Sequence, residues 1–254
     1  MQKRGFGGYP ERTLIPDHVF DLAAEDCGVL FGAWEGLQLI GYVLAFYSLE
    51  AINKIPSTAK PVLVVHQLVV DESARGKGVG FELMHKLKSL ALARGLDSIR
   101  WFSDPMLTDN SALYVRKLGA RGVSFSFDQY GALEGKRFGT LPTHRIRFFW
   151  DLQNPGTGFV CPAPSCQLIC AATAEDTPEI DWNAVASNAP TKIVAIPTNY
   201  PELKEQHTTL ASLWQNCFFD VAKKLFEQRY AILDFERKAE SNLAQYLFVL
   251  KEDG

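Results

Sequence analysis

The sequence predicts an α/β fold. Three observations carry that expectation. Strand-like and helix-like segments alternate over the first 150 residues. A nearly continuous apolar run, Pro61–Val70, enters a glycine-rich turn that opens a helix. A helix followed by two strand-like runs closes the chain.

The elements follow in order. Val19–Glu25 is short and amphipathic, with Asp17 placed to cap it. Gly28–Trp34 and Leu37–Tyr47 are rich in Val, Leu, Ile and aromatics, and Glu35-Gly36 between them signals a hairpin. Pro61–Val70 reads as a strand buried on both faces. From Gly78 to Arg94, Val79, Leu83, Met84, Leu87, Leu90 and Ala91 recur at helical spacing, and Gly95 supplies a C-terminal stop. Ser98–Ser103 reads as a strand, Asn110–Leu118 as a helix, and Gly122–Phe127 and Arg145–Leu152 as strands. Residues 153–190 are rich in Pro, Gly, Ala, Thr and Asp and read as a linker. Beyond it come a strand at Lys192–Pro197 and a helix over Leu203–Arg229, whose apolar stripe is Leu210, Leu213, Trp214, Cys217, Phe218, Val221, Leu225 and Phe226. Ala231–Glu236 and Asn242–Leu250 form an expected antiparallel pair. Three parts result: an α/β domain over 1–152, a linker over 153–190 and a β-α-β-β extension over 191–254.

Of the 254 residues, 47% are hydrophobic and 22% charged, which excludes intrinsic disorder. The 26 Lys+Arg against 29 Asp+Glu give a net charge of -3, so no broad basic field exists to draw in nucleic acid or an anionic membrane. No apolar run approaches the roughly 18 residues that span a bilayer. The start, Met1–Pro10, lacks the apolar stretch of a signal peptide, and a cytoplasmic protein is expected. Cys161, Cys166 and Cys170 lie close in sequence without a C-x-x-C pair, and no H-x-x-x-H pair occurs, so no metal site is expected.

The informative stretch is Leu68-Val69-Val70-Asp71-Glu72-Ser73-Ala74-Arg75-Gly76-Lys77-Gly78-Val79-Gly80. A strand runs into a turn with glycines, and the turn opens a helix. The unpaired amides and positive dipole end of that helix suit a phosphate or pyrophosphate, and Arg75 and Lys77 add charge. A P-loop fails because Gly78 follows Lys77 where Ser or Thr is required. A dinucleotide fingerprint fails because Gly76, Gly78 and Gly80 give Gly-x-Gly-x-Gly.

The remaining pattern is Arg-x-x-Gly-x-Gly, at Arg75, Gly78 and Gly80. With Leu68-x-Val70 before it and Ala93-Arg94-Gly95 after it, it resembles the coenzyme A pyrophosphate loop of the GNAT N-acyltransferase superfamily. The resemblance extends to Ile15–Phe20, Gly28–Tyr47, Ser103–Leu107, Asn110–Ala112, Lys117–Ala120, Tyr130-Gly131 and Leu141–Arg145. These look like one largely uncharacterised prokaryotic GNAT-related family with a C-terminal extension. The resemblance implies a mixed, mainly antiparallel sheet flanked by helices, an acyl-CoA cosubstrate without metal, and a primary amine of a small molecule as acceptor. A homodimer is compatible with it. A complete domain of this kind opens with a strand and helices before the Val19 region, and residues 1–16 are few for that purpose. Family members carry an acidic residue where His144 stands.

Residue roles follow from the resemblance. Leu68, Val69 and Val70 would hold the pantetheine and polarise the thioester carbonyl through backbone N–H groups. Arg75, Gly76, Lys77, Gly78, Val79 and Gly80 would cradle the pyrophosphate. Asn110 is either a hydrogen-bond partner of the pantetheine arm or a helix N-cap. His66 is either the general base or a satisfied strand histidine. Many members carry, as acid for the leaving thiolate, a tyrosine four residues before the Leu-Gly glycine. Here that register lands on Val115, with Tyr114 one place earlier and about 100° away on an α-helix. Tyr130 is the other acid candidate. Glu50 and Arg145 are candidate acceptor contacts, Arg145 for a carboxylate. A non-catalytic acyl-CoA sensor or assembly module is the alternative reading.

Overall fold

The computed structural model describes residues 1–3, 14–50, 59–131, 141–156, 166–173, 176–238 and 241–251. The chain divides into two compact units. Of the described residues, unit 1 holds 1–3, 14–50, 59–102 and 149–155, and unit 2 holds 103–131, 141–148, 156, 166–173, 176–238 and 241–251.

In unit 1, helix α1 (Asp17–Leu22) passes through a wide turn into strands β1 (Gly28–Glu35) and β2 (Gln38–Leu49). These pair antiparallel, and Gly36 turns the hairpin at φ +58. Strand β3 (Pro61–Val70) pairs antiparallel with β2, and helix α2 (Val79–Ala93) leads to β4 (Ser98–Ser103), which pairs parallel with β3. Leu83, Met84, Leu87 and Ala91 are the buried stripe of α2, as their spacing predicts. The helix can lie close to the sheet because Gly41 has no side chain. A Cβ there would come 3.0 Å from Val69 O and 3.0 Å from Val79 Cγ1. Tyr42, Leu44, Val69 and Ala23 form a buried core cluster under Phe20 and Leu30. A second cluster joins Trp101 and Trp150, with ring centroids 6.5 Å apart.

Unit 2 begins with the short helix α3 (Thr108–Ser111), which widens into a π-wound turn over Ala112–Lys117. Strands β5 (Arg121–Ser126) and β6 (Arg145–Asp151) follow, the end of β6 falling in unit 1. Then come β7 (Cys166–Ala172), β8 (Pro178–Ile180), α4 (Trp182–Ala186) and β9 (Thr191–Pro197). Helices α5 (Tyr200–Gln206) and α6 (Thr208–Glu227) precede the hairpin β10 (Tyr230–Arg237) and β11 (Leu243–Leu250). Beside β5 the strand order is β10-β11-β9-β7-β8, antiparallel except for β7 against β9. Phe218 packs on Tyr246 and Phe248 at the centre of this unit, and the Tyr246 hydroxyl donates to Pro105 O at 2.7 Å.

Four differences from the sequence-based expectation have physical reasons. The stretch 153–190 is not a plain linker, because β7, β8 and α4 lie within it. The expected domain over 1–152 draws on both compact units, the first of which runs to Phe102 before the chain passes to the second. The helix expected over Leu203–Arg229 is two helices. His207, with φ -138 and ψ 60, breaks the ladder, and the chain re-enters a helix at Thr208. Leu213, expected on the buried stripe, is 47% exposed, because Leu210, Trp214, Cys217 and Val221 define a line that leaves it on the flank. Among the described residues no helix is long and apolar enough to cross a membrane.

Candidate active site: a glycine loop and an open strand edge

The loop after β3 is built to leave a helix end open. Asp71 closes a short turn: its carboxylate accepts from Ser73 N–H at 3.2 Å and from Ser73 Oγ–H at 2.8 Å. Gly76 and Gly78 then adopt φ +74 and +86, a region that costs other residues strain. A Cβ at either position would meet nothing within 4 Å. Their glycines therefore serve the backbone path rather than clearance from protein atoms. The first hydrogen bond of α2 runs from Glu82 N–H to Gly78 O at 3.0 Å. Helix geometry leaves the amides of Val79, Gly80 and Phe81 without intrahelical acceptors, at the positive end of a 15-residue helix. Arg75, Gly76, Lys77 and Gly78 are all exposed around that end. An anion with several oxygens fits this arrangement.

The strand leading into the loop has a free edge. The β3–β4 ladder consists of Leu63↔Ile99 and Val64↔Arg100. Beyond Val64 the same edge of β3, through Leu68, Val69 and Val70, has no strand partner among the described residues. The opposite edge stays paired with β2, Leu68 opposite Val43 and Val70 opposite Gly41. Peptide groups on the open edge are available to an extended ligand, in the manner of an added strand.

His66 sits where the ladder is irregular. Leu44 pairs with Gln67 and Ala45 with Val65, so His66 is the extra residue of a bulge. That explains why β3 is not buried on both faces: the bulge turns His66 outward, and it is exposed. Its ring stands edge-on to Phe46 at 6.0 Å. Partial loss of water holds its pKa below the ordinary histidine value, so the ring is neutral at neutral pH. Gln67, next to it, accepts a hydrogen bond from the buried Tyr42 hydroxyl. Glu50 is exposed just past β2, with its N–H on Lys60 O and its carbonyl accepting from Arg100 Nη1.

The other candidates belong to unit 2. Asn110 lies inside the first turn of α3 and is not its N-cap, which is Leu107. Tyr114 is 8% exposed, with its ring 5.8 Å from Phe148. The π-wound turn bears on its register. Leu118 N–H bonds to Leu113 O at 3.0 Å, five residues back, so the wide turn takes up one residue. That brings Tyr114 back toward the line Val115 would hold on an α-helix, which the sequence reading did not foresee. Tyr130 is 48% exposed, and burial of its hydroxyl side raises its pKa despite the Arg145 charge. Arg145 is 7% exposed. It donates to His144 O at 2.6 Å, faces the Asp104 carboxylate at 3.8 Å and lies 5.3 Å above the Tyr130 ring. It is a buried, counter-charged arginine rather than an open one. Among the described residues, no group of three or more metal-ligating side chains occurs. Cys161 lies outside the described residues, and Cys170 packs against Cys217 instead.

The chain was compared with known proteins at three levels: family, curated sequence and solved structure. The model of the acetyltransferase (GNAT) family matches residues 3–120. No curated protein matches the chain. Among solved structures it is similar to an IAA acetyltransferase from Bacillus cereus ATCC 14579, at 18% identity and TM-score 0.40 over 57% of this chain and 96% of that one. It is also similar to the ribosomal-protein-S18-alanine N-acetyltransferase from Escherichia coli, at 12% identity and TM-score 0.44 over 62% and 89%. A third is an aminoglycoside 6'-N-acetyltransferase complexed with coenzyme A, at 18% identity and TM-score 0.39 over 54% and 78%. The acceptors in those names differ widely. The glycine loop and the open strand edge both lie within residues 3–120, the part of the chain that matches the GNAT acetyltransferase family.

Proposed function

We propose that the protein transfers an acetyl or related acyl group from acyl-CoA to the primary amine of a small, amino-acid-like molecule by direct attack within a ternary complex. The single observation that supports this most is the Arg75–Gly80 loop, with two left-handed glycines opening an uncapped helix end beside the free edge of β3.

The residues then have these roles. Arg75, Gly76, Lys77, Gly78, Val79 and Gly80 hold the pyrophosphate. Backbone groups of Leu68, Val69 and Val70 hold the pantetheine and polarise the thioester carbonyl, and holding both reactants supplies most of the acceleration. His66, neutral and exposed, takes the proton from the attacking ammonium. The sequence resemblance alone nominates Tyr130 or Tyr114 as the acid for the thiolate and Asn110 for the pantetheine arm. Glu50 is an acceptor contact through its exposed carboxylate. Arg145 is the candidate for an acceptor carboxylate, and its Asp104 partner and burial favour a structural arginine instead.

Calorimetric titration with acetyl-CoA, succinyl-CoA and free CoA tests the donor site, followed by thiol release with a panel of amino acids and diamines. Micromolar donor binding and amine-dependent thiol release are expected. Absence of binding by all three donors would overturn the loop assignment. Binding without release from any amine would favour the acyl-CoA sensor instead.

A further inference from the structure

Unit 2 contains a cavity of about 210 Å³ that none of the roles above uses. Phe125, Phe127 and Phe219 line it together with His144, and it opens to solvent at Phe127, which is 71% exposed. The exposed Asn216, Asp220 and Lys223 complete it from α6. Residues 216, 219, 220 and 223 follow one helix face at i, i+3, i+4 and i+7.

His144 is the polar group inside. Its residue is 2% exposed, and its ring lies between Phe127 and Phe219, with centroids at 4.6 and 4.3 Å. Asp128 N–H donates to its Nδ1 at 3.1 Å. With Nδ1 used as an acceptor, the neutral ring carries its proton on Nε2. That N–H donates to no acceptor among the described residues and is not one of their fully buried unpartnered atoms, so it is open to a ligand or to water in the cavity.

The orientation is deliberately braced. Thr143 N–H and Oγ–H both bond Asp128 Oδ1, Gln129 N–H bonds Thr143 O, and Tyr130 N–H bonds Thr143 Oγ1. Asp128 itself sits at φ +41, a conformation that persists where its surroundings over-determine it. Burial keeps the imidazole neutral, opposing the carboxylates of Asp128, Asp104 and Asp220, while Arg145 acts with burial.

We propose that this cavity binds a small monocyclic aromatic molecule bearing an uncharged carbonyl acceptor, its ring among the phenylalanines and its oxygen on the His144 Nε2–H. An apolar cavity of about 150 Å³ takes a benzene ring, so this one has room for a ring and a short substituent. Asp220 and Lys223 bring opposite charges to the rim, which favours a neutral ligand over an ion. The inference stands on unit 2 alone and does not depend on acyl transfer.

The full chain is titrated with benzamide, with cyclohexanecarboxamide and toluene as controls, by calorimetry and by following the His144 Nε2–H resonance. Saturable benzamide binding is expected, about tenfold tighter than either control, with the Nε2–H signal shifting only for the two amides. Asn216→Trp, at an exposed helix position, should fill the cavity and abolish binding while the protein stays folded. Phe219→Ala should weaken it at least tenfold. Absence of saturable benzamide binding, equal binding of all three probes, or binding unchanged by Asn216→Trp would each overturn the proposal.

Discussion

The imidazole of His66 stands edge-on to Phe46, with ring centroids 6.0 Å apart, at the residue the β2–β3 ladder skips. Two effects combine there. The bulge sends the side chain outward, and the neighbouring ring removes water from one side of it. A base at this position is neutral, and burial lowers its pKa from the ordinary histidine value.

The pH dependence follows with its sign. In the proposed role of His66 as base the neutral ring is the active form, so kcat/KM should be flat at neutral pH and fall as pH drops through a breakpoint below the ordinary histidine value. His66→Ala should lower turnover about 10²–10⁴-fold, keep acyl-CoA affinity and remove that acid limb. Phe46→Ala should re-wet the ring and move the breakpoint upward. A pH–rate profile unchanged by His66→Ala would show a histidine with no part in proton transfer.

Gly78 is held at φ +86. Gly78→Ala should cost about 1–2 kcal/mol of stability through backbone strain alone, since its Cβ would meet nothing. Gly78→Glu adds a carboxylate at the anion site and should abolish CoA binding. Thermal unfolding and calorimetry on the two variants separate the conformational effect from the electrostatic one.

Cys170 Sγ lies 2.8 Å from Cys217 Sγ, both residues buried between β7 and α6. Their contact and burial push the Cys170 thiol far up, so little thiolate forms. Alkylation of the native protein, mapped residue by residue by mass spectrometry, should spare both and modify the half-buried Cys27 first. In urea all three should react alike. Modification of Cys170 at the rate of Cys27 in the native state would contradict this packing.

Arg145 tests whether a buried arginine serves structure or acceptor. Arg145→Ala leaves Asp104 facing an empty site and removes the group under Tyr130. About 3 kcal/mol of lost stability is expected, read by urea denaturation. A variant with unchanged stability and only a raised acceptor KM would instead assign Arg145 directly to the acceptor.

Much of the fold was legible because it depends on local periodicity. The α2 stripe, the Glu35-Gly36 hairpin and the strand at Ser98–Ser103 each lie within one continuous segment. Their apolar spacing and glycine punctuation state their structure. The Arg75–Gly80 loop was legible for the same reason, since left-handed backbone and an open helix start are written in consecutive residues. Strand β7 was missed because its seven residues sit in Pro- and Thr-rich surroundings. The short apolar run Leu168–Ala172 was the available signal, and β8 and α4 are too short to show a period.

By itself, then, the sequence determined the α/β character, most element positions and the glycine loop that opens α2, all of which follow from interactions within a few residues. Only the tertiary structure decided the rest. It separated β3 from β4 after Val64, set His66 on a bulge, gave Arg145 its counter-charge and enclosed His144 between Phe127 and Phe219. Each of these depends on which distant segments come to lie side by side. Pairing and packing between such segments are decided by the summed burial of the whole core, which no single stretch of sequence carries.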